Sequence, residues 1–417
     1  MSAYIIEGGS RLYGSVRVHG AKNSALPILA ACILTDGECV IDDCPPLRDV
    51  EGTVRILRRL GATAVRDGDT LAVKASALAK NDIPDSLMRE MRSSVIFLGA
   101  LTARYGSAKL SYPGGCELGP RPIDLHLAGL RSLGAKIVES GGGIECSAPD
   151  GLRGCDISLG IPSVGATENI MLAATAAKGR TRIFNPAREP EIVDLQNFLT
   201  AMGAEVRGAG GSIIEIEGGK PLHGARHRVI PDRIVTATYM AAVASAGGAV
   251  SIENARPADI ASVSAVLREA GVDIRESQNR IEVASEGRLK SVRPIKTQGY
   301  PGFPTDAQSI VMSVMASAQG TTMFVENIFE SRYRHAGELI RMGADIRVEG
   351  RVAVVSGVKR LYGANVNATD LRGGAGLVVA ALGADGQTTV GDIEFIERGY
   401  CGLDESLAKL GAKISRR

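Results

Sequence analysis

One cysteine stands among glycines and prolines in the stretch Tyr112-Pro-Gly-Gly-Cys116-Glu-Leu-Gly-Pro-Arg121-Pro122. A thiol becomes a better acid and nucleophile beside a cation or a helix N-terminus. Arg121 supplies a cation five residues on, and Pro122 suits the first turn of a helix, where its missing N–H costs nothing. Asp124 then falls near the positive end of that helix. The pattern predicts a flexible loop that carries a thiol next to a cation, at a place that also attracts anionic substrates. An ordinary surface loop with a free cysteine has the same composition, since signatures around catalytic cysteines do not transfer between families. The rest of the chain has to decide.

Further cations recur at predicted helix starts. Six helices rich in small and apolar residues begin with Lys22-Asn23-Ser24, Arg92-Ser93-Ser94, Ser163-Val164-Gly165, Asp232-Arg233, Thr305-Asp306 and Asp370-Leu371-Arg372. Ser, Thr, Asn and Asp there are ordinary N-caps. Lys22, Arg92 and Arg372 are not, because a cation opposes the helix dipole unless an anion is present. A second set, Arg48, Arg121, Arg188, Arg256, Arg332 and Arg398, lies 11 to 15 residues ahead of six recurring glycines, near the start of a second helix in each case. Arginines gathered in this way bind phosphates and carboxylates bidentately. They point to substrates with several anionic groups.

These positions belong to a repeat. A helical run ends in Gly and enters a strand at Gly61, Gly134, Gly203, Gly271, Gly343 and Gly411, which are 73, 69, 68, 72 and 68 residues apart. Gly just past a helix is the expected stop signal. The small-residue helices end near Gly37, Gly106, Gly179, Gly247, Gly320 and Gly386, in phase with the first set. Each unit of some seventy residues reads strand, helix, strand, helix, strand, strand, so helices must pack on sheets. The sixth unit stops short, and Ile5-Ile6-Glu7-Gly8-Gly9 resembles Ile216-Glu217-Gly218-Gly219, so the N-terminus is expected to supply its last strands. The expected domains are residues 21–229, with the cysteine loop 112–122, and residues 1–20 plus 230–417. The chain crosses between them twice, which makes the cleft the expected ligand site.

Composition excludes several classes. With 417 residues, 45% hydrophobic and 23% charged, the chain reads as ordinary globular protein. A formal net charge of +2 gives no field for nucleic acid or a membrane surface. One of the two longest uncharged runs, Ile234 to Ile252, holds a Gly-Gly pair and reads as helix, turn and strand, not as a membrane span. The N-terminus lacks the pattern of a secretory signal. Seven scattered cysteines without a CxxC pair suggest a reducing cytoplasm. There is no HExxH, and His223 and His227 lie in a Gly-containing stretch, so neither metal nor cofactor is expected.

Lys22-Asn23, Pro113-Gly-Gly-Cys116-x-x-Gly-x-Arg121-Pro122-x-Asp124-Leu125-His126, Ala187-Arg188-Glu-Pro-Glu-Ile-Val193-Asp194, Phe303-Pro-Thr-Asp306 and Ile396-Glu-Arg398-Gly-Tyr400 together resemble the bacterial UDP-N-acetylglucosamine enolpyruvyl transferases, over essentially the whole chain. The resemblance implies an α/β fold, an inside-out α/β barrel with two domains of three βαβαββ repeats. It implies transfer of enolpyruvate from phosphoenolpyruvate to the 3'-hydroxyl of UDP-N-acetylglucosamine, the first committed step of peptidoglycan synthesis, in the bacterial cytoplasm. Cys116 then corresponds to the general acid that can form a covalent adduct with phosphoenolpyruvate and is alkylated by fosfomycin. Lys22 and Asn23 correspond to residues that meet phosphoenolpyruvate and the reacting hydroxyl. Arg121, Arg332, Arg372 and Arg398 correspond to further anion clamps. Arg92 and the segment Arg121, Pro122, Ile123, Asp124 and Leu125 correspond to the nucleotide-sugar site, with Ser163, Val164 and Gly165 near the uridine diphosphate. Asp306 corresponds to the carboxylate near the 3'-hydroxyl, Asp370 to an assisting one, and Ile328 to a backbone contact with the sugar nucleotide.

Some positions depart from the family pattern. Arg48 stands where some members have Lys, Ile161-Pro162 where some have Lys-Val, and Asp67-Gly68 where some have Asn-Gly. Three rivals remain. Enolpyruvylshikimate phosphate synthase shares the repeat fold but lacks the cysteine loop. A non-catalytic nucleotide-sugar-binding paralogue would have lost Cys116, Lys22 or Asp306. An RNA-end cyclase needs a nucleotidyl-accepting histidine and a basic surface.

Overall fold

The computed structural model describes residues 2–112 and 123–417. Cys116, Arg121 and Pro122 of the expected site lie outside the described residues. Residues 2–19 with 231–417 form one compact unit, and residues 20–112 with 123–230 form another. Each has its own core of aliphatic side chains.

Among the described residues the strands form six four-stranded sheets, three in each unit, all with one order. In the third repeat Asp156–Ser158 pairs parallel with Gly179–Phe184, which pairs antiparallel with Ile213–Gly218, which pairs antiparallel with Glu205–Arg207. A parallel pair needs a crossover, and the helix Val164–Ala174 provides it. The second repeat adds a short helix, Asp85–Glu90, ahead of its crossover helix.

The reading of the N-terminus needs a correction. The sixth repeat has its own strand after Gly411, Lys413–Arg416. Ala3–Glu7 adds one strand to that sheet, between Lys413–Arg416 and Gln387–Gly391. Leu12–Arg17 goes elsewhere: it pairs parallel with Gly248–Glu253 and opens the fourth repeat. Arg226–Arg228 does the same for the first repeat, beside Glu38–Asp42. The likeness between the N-terminus and residues 216–224 thus holds for a strand and the turn after it. In both places the chain continues into the opening strand of another repeat.

The crossover helices are the inner layer. Their sequences are apolar on every side, and a helix of that kind must be buried. In Leu371–Leu382 every residue except Leu371 is buried. The helices Arg233–Ala246, Thr305–Met315 and Leu371–Leu382 each touch the other two. Small residues set the approach: a Cβ on Gly376 would lie 2.9 Å from the Ser309 carbonyl oxygen and from Ser313 Oγ. The outer helices are amphipathic, and the six recurring glycines end them with φ between 91° and 108°, a conformation that favours glycine.

Two substitutions separate packing from propensity. Gly376→Ala is expected to lower unfolding stability by about 1–3 kcal/mol, because the inner helices must part. Gly337→Ala, in the helix Ala336–Arg341 with nothing within 4 Å of a built Cβ, is expected to raise it by about 1 kcal/mol. Urea unfolding of the two variants checks both signs.

Candidate active site

With three helices buried on all sides, their charged residues fall at the helix starts. In the unit that holds residues 231–417, Asp232 caps one helix by accepting from the N–H of Ile234 (2.9 Å) and Val235 (3.1 Å). Asp370 caps another through the N–H of Arg372 and Gly373, both at 3.0 Å. Asp306 lies in the first turn of the third, after Pro304. Arg332 reaches this place from the short 3-10 turn Arg332–His335.

Four residues singled out in the sequence meet here. Arg332 Nη2 donates to the Thr305 carbonyl at 3.0 Å and to Asp306 Oδ1 at 3.3 Å. Its Nη1 lies 3.5 Å from Asp370 Oδ1. Arg372 Nε donates to Asp306 Oδ2 at 3.3 Å. The Arg372 guanidinium also sits over the Tyr400 ring, 5.3 Å from its centroid, and the Tyr400 hydroxyl is 2.7 Å from Thr238 Oγ1. Arg332 and Arg372 are 1% and 2% exposed, whereas the Asp306 side chain is 30% exposed. Asp306 is therefore the member of the cluster that solvent or a ligand reaches most easily.

Two buried cations would each cost several kcal/mol without partners. Asp306 and Asp370 offset them charge for charge. Hydrogen bonding is less complete, since Arg372 Nη1 is buried with no partner among the described residues. Burial works against the Arg372 charge, but Tyr400, Asp306 and Asp232 outweigh it and hold the proton more firmly than usual. Behind the cluster His335 donates Nδ1–H to the Arg332 carbonyl at 3.1 Å. Burial pushes its pKa down to about 4, so it is neutral. Arg398 ends the 3-10 turn Ile396–Arg398, shortly ahead of the helix Leu403–Lys409. Ile328 is exposed, and its N–H is committed to Glu326 Oε1 at 2.8 Å.

The other unit carries a second set. Lys22 is the first residue of the helix Lys22–Ala31, as expected, and the anion beside it is internal: Nζ lies 3.0 Å from Asp49 Oδ2. Both are nearly buried. Asp49 escapes a sequence reading because an acid in the first turn of Arg48–Leu60 looks like a routine complement to the helix dipole. Asn23 beside Lys22 is exposed. Ser24 Oγ donates to Asp194 Oδ2 at 2.5 Å, which anchors the start of the helix.

Arg92 begins a 3-10 turn, Arg92–Ile96, ahead of the helix Phe97–Tyr105. Asn169 fixes its surroundings. Its Oδ1 accepts from Gly99 N–H at 2.5 Å and its Nδ2 donates to the Val95 carbonyl at 3.0 Å, so the amide has one orientation. Nδ2 then donates to His126 Nδ1 at 2.9 Å, which leaves the proton of this imidazole on Nε2. Burial and the nearby Arg92 push the His126 pKa down to about 4. A Cβ on Gly165 would lie 3.0 Å from His126 Cε1, so Gly165 must stay small. Ser163 caps Val164–Ala174 through the N–H of Ala166 at 3.4 Å. Arg92, the 123–126 segment and residues 163–165 are thereby brought to one place around His126 and Asn169. Ile123 is buried, Asp124 is exposed and Leu125 is half-buried. These three also line a cavity of about 480 Å³ with Tyr112, Arg131 and Glu139.

Among the described residues no group of three His, Cys, Asp or Glu is placed to hold a metal ion, and no helix is long and apolar enough to cross a membrane.

Comparison with known proteins gives the arrangement a context. The family model described as EPSP synthase (3-phosphoshikimate 1-carboxyvinyltransferase) matches residues 6–407. A UDP-N-acetylglucosamine 1-carboxyvinyltransferase 2 from Caldanaerobacter subterraneus subsp. tengcongensis is 50% identical over 416 residues, covering 100% of both chains. A UDP-N-acetylglucosamine 1-carboxyvinyltransferase 1 from Symbiobacterium thermophilum is 51% identical over 418 residues, 99% of this chain and 95% of the other. The crystal structure of the enolpyruvyl transferase NikO from Streptomyces tendae matches with TM-score 0.90 and 28% identity, over 100% of this chain and 98% of that one. EPSP synthase from Acinetobacter baumannii matches with TM-score 0.77 at 19% identity, over 100% and 99%, a likeness of fold alone.

The two neutral imidazoles make stability depend on pH. Their folded pKa values, about 4, lie below the ordinary histidine value of 6.5. Between those pH values the unfolded chain binds protons that the folded chain refuses. The stabilisation is complete above pH 6.5 and is lost as pH falls toward 4, on the order of 3 kcal/mol for each imidazole. Urea unfolding at pH 7.5 and 4.5 is expected to show a smaller difference in His126→Gln and in His335→Gln than in the parent chain. An unchanged difference in both would contradict this.

Proposed function

Because the chain belongs to the enolpyruvyl transferase family, we propose that it transfers the enolpyruvyl group of phosphoenolpyruvate to the 3'-hydroxyl of UDP-N-acetylglucosamine, with release of phosphate. This is the first committed step of peptidoglycan synthesis and would take place in the bacterial cytoplasm. The observation that carries the reading is Asp306, a partly exposed carboxylate held between two buried arginines at the start of an inner helix. The choice of acceptor rests on relatives about half identical from end to end.

The reaction is an addition followed by an elimination. The acceptor oxygen bonds to C2 of phosphoenolpyruvate while a proton is delivered to C3. The C2–O bond to phosphate then breaks as C3 gives a proton back. The first step needs a base for the hydroxyl and an acid for C3. In this reading Asp306 takes the hydroxyl proton and Cys116 delivers the proton to C3. Charge gathers on the carboxylate and the departing phosphate, where preorganised donors are most effective. Lys22, Arg121, Arg332, Arg372 and Arg398 are read as those donors, and the buried Arg372 Nη1 has capacity for one more acceptor. Asn23 is read as meeting the substrates, with Asp370 assisting Asp306. Arg92, Pro122, Ile123, Asp124, Leu125, Ser163, Val164, Gly165 and the Ile328 backbone are read as the sugar-nucleotide site.

Phosphate release from phosphoenolpyruvate is expected with UDP-N-acetylglucosamine and not with shikimate 3-phosphate. Asp306→Asn and Cys116→Ala are each expected to lower kcat about 10²–10⁴-fold while the far-ultraviolet spectrum is kept. Full turnover in either variant would remove that residue's role. Binding of the sugar nucleotide without phosphate release by the parent chain would favour a non-catalytic protein.

A further inference from the structure

Glu326 is a fully buried carboxylate that none of the roles above uses. It follows the strand Thr321–Val325 and opens the loop that leads to Arg332. Its Oε1 accepts from Thr297 Oγ1 at 2.9 Å, Ile328 N–H at 2.8 Å and Phe329 N–H at 3.0 Å. Its Oε2 accepts from Thr305 Oγ1 at 3.0 Å. Among the described residues no Lys or Arg pairs with it, so four neutral donors stabilise the charge. Buried carboxylates held this way make few movements, because any displacement leaves a donor or the anion unsatisfied.

The four donors connect separate parts of the candidate site. Thr305 precedes Asp306, and its carbonyl oxygen takes the Arg332 guanidinium at 3.0 Å. Ile328 is exposed and Phe329 half-buried on the rim of the loop. Thr297 ties the neighbouring segment, where its Oγ1 also accepts from Asn327 N–H at 2.8 Å and its carbonyl from Asn327 Nδ2 at 3.1 Å. One carboxylate thus sets the distance between the Asp306 helix start and the Ile328 backbone.

We propose that Glu326 is a positioning residue for the acceptor, holding Asp306 and the Ile328–Phe329 backbone in the register that the sugar nucleotide requires. The proposal rests on the reading that these two elements meet the acceptor and not phosphoenolpyruvate. Charge alone is not the requirement: the glutamine isostere keeps one oxygen acceptor, and the Thr305 hydroxyl can turn to accept from its amide. Alanine removes the whole bridge.

Steady-state phosphate release with the full chain tests the idea in Glu326→Gln, Glu326→Ala and Thr305→Ala. In Glu326→Ala, kcat/KM for UDP-N-acetylglucosamine is expected to fall about 10- to 100-fold, the scale of a displacement near 1 Å, while KM for phosphoenolpyruvate stays within about twofold. Glu326→Gln is expected to recover much of that loss. Thr305→Ala is expected to lower kcat, and combining it with Glu326→Gln to cost less than the two separate losses multiplied. If alanine prevents folding, the glutamine and threonine variants decide. Unchanged acceptor kinetics in the variants, or equal losses for both substrates, would overturn the role of Glu326. Failure of the parent chain to release phosphate with UDP-N-acetylglucosamine would overturn the underlying reading, and this proposal with it.

Discussion

Arg332 and Arg372 are buried guanidinium groups that share one carboxylate, Asp306, and much of the surrounding structure follows from holding them there. A charge inside a protein needs a partner at close range and fixed geometry. The three inner helices of this unit provide both. They are largely apolar on all sides, their charged groups stand at the helix starts, and glycines such as Gly376 let them pack closely. Asp306 and Asp370 stand at two of those first turns, within reach of Arg332 from a third element. The tyrosine ring over Arg372 completes the enclosure, with its hydroxyl tied back to Thr238 on the third inner helix.

The repeat was legible because it rests on local chemistry. A glycine with positive φ at the end of each outer helix leaves a mark that needs no partner, and all six marks fall on such glycines. The helix starts were legible for the same reason: a cap or a misplaced cation is visible within a few residues. The borrowed strands were only half legible. The turn near Gly8-Gly9 resembles that near Gly218-Gly219, but which sheet receives Leu12–Arg17 depends on a pairing with Gly248–Glu253, far along the chain.

The supporting groups were not legible at all. Asp49, Asn169, Glu326 and His335 acquire meaning only through partners distant in sequence or through burial. Asp49 looks like a dipole complement until Lys22 is seen beside it. Glu326 looks like the end of an exposed strand until four donors close around it. His126 looks like an ordinary helix residue, yet the Asn169 amide decides which of its nitrogens carries the proton. Residues that touch a substrate can be guessed from type and spacing. Residues that hold them still are revealed by the contacts of the fold.

The same contacts rank the two carboxylates of the cluster. Asp370 Oδ1 accepts two backbone N–H groups that begin Leu371–Leu382 and also faces Arg332. A proton placed on that oxygen would compete with the cap, which is worth about 1 kcal/mol to the helix, and with the ion pair. Asp370 is therefore suited to holding the helix start and to fixing Arg332. Asp306 lies past the cap position, is more exposed, and is held by two side chains rather than by backbone N–H groups. Of the two, Asp306 can take a proton from a hydroxyl without unmaking the start of a helix. This asymmetry arises from where each aspartate falls relative to its helix, one at the cap and one two residues beyond the Pro304 cap position.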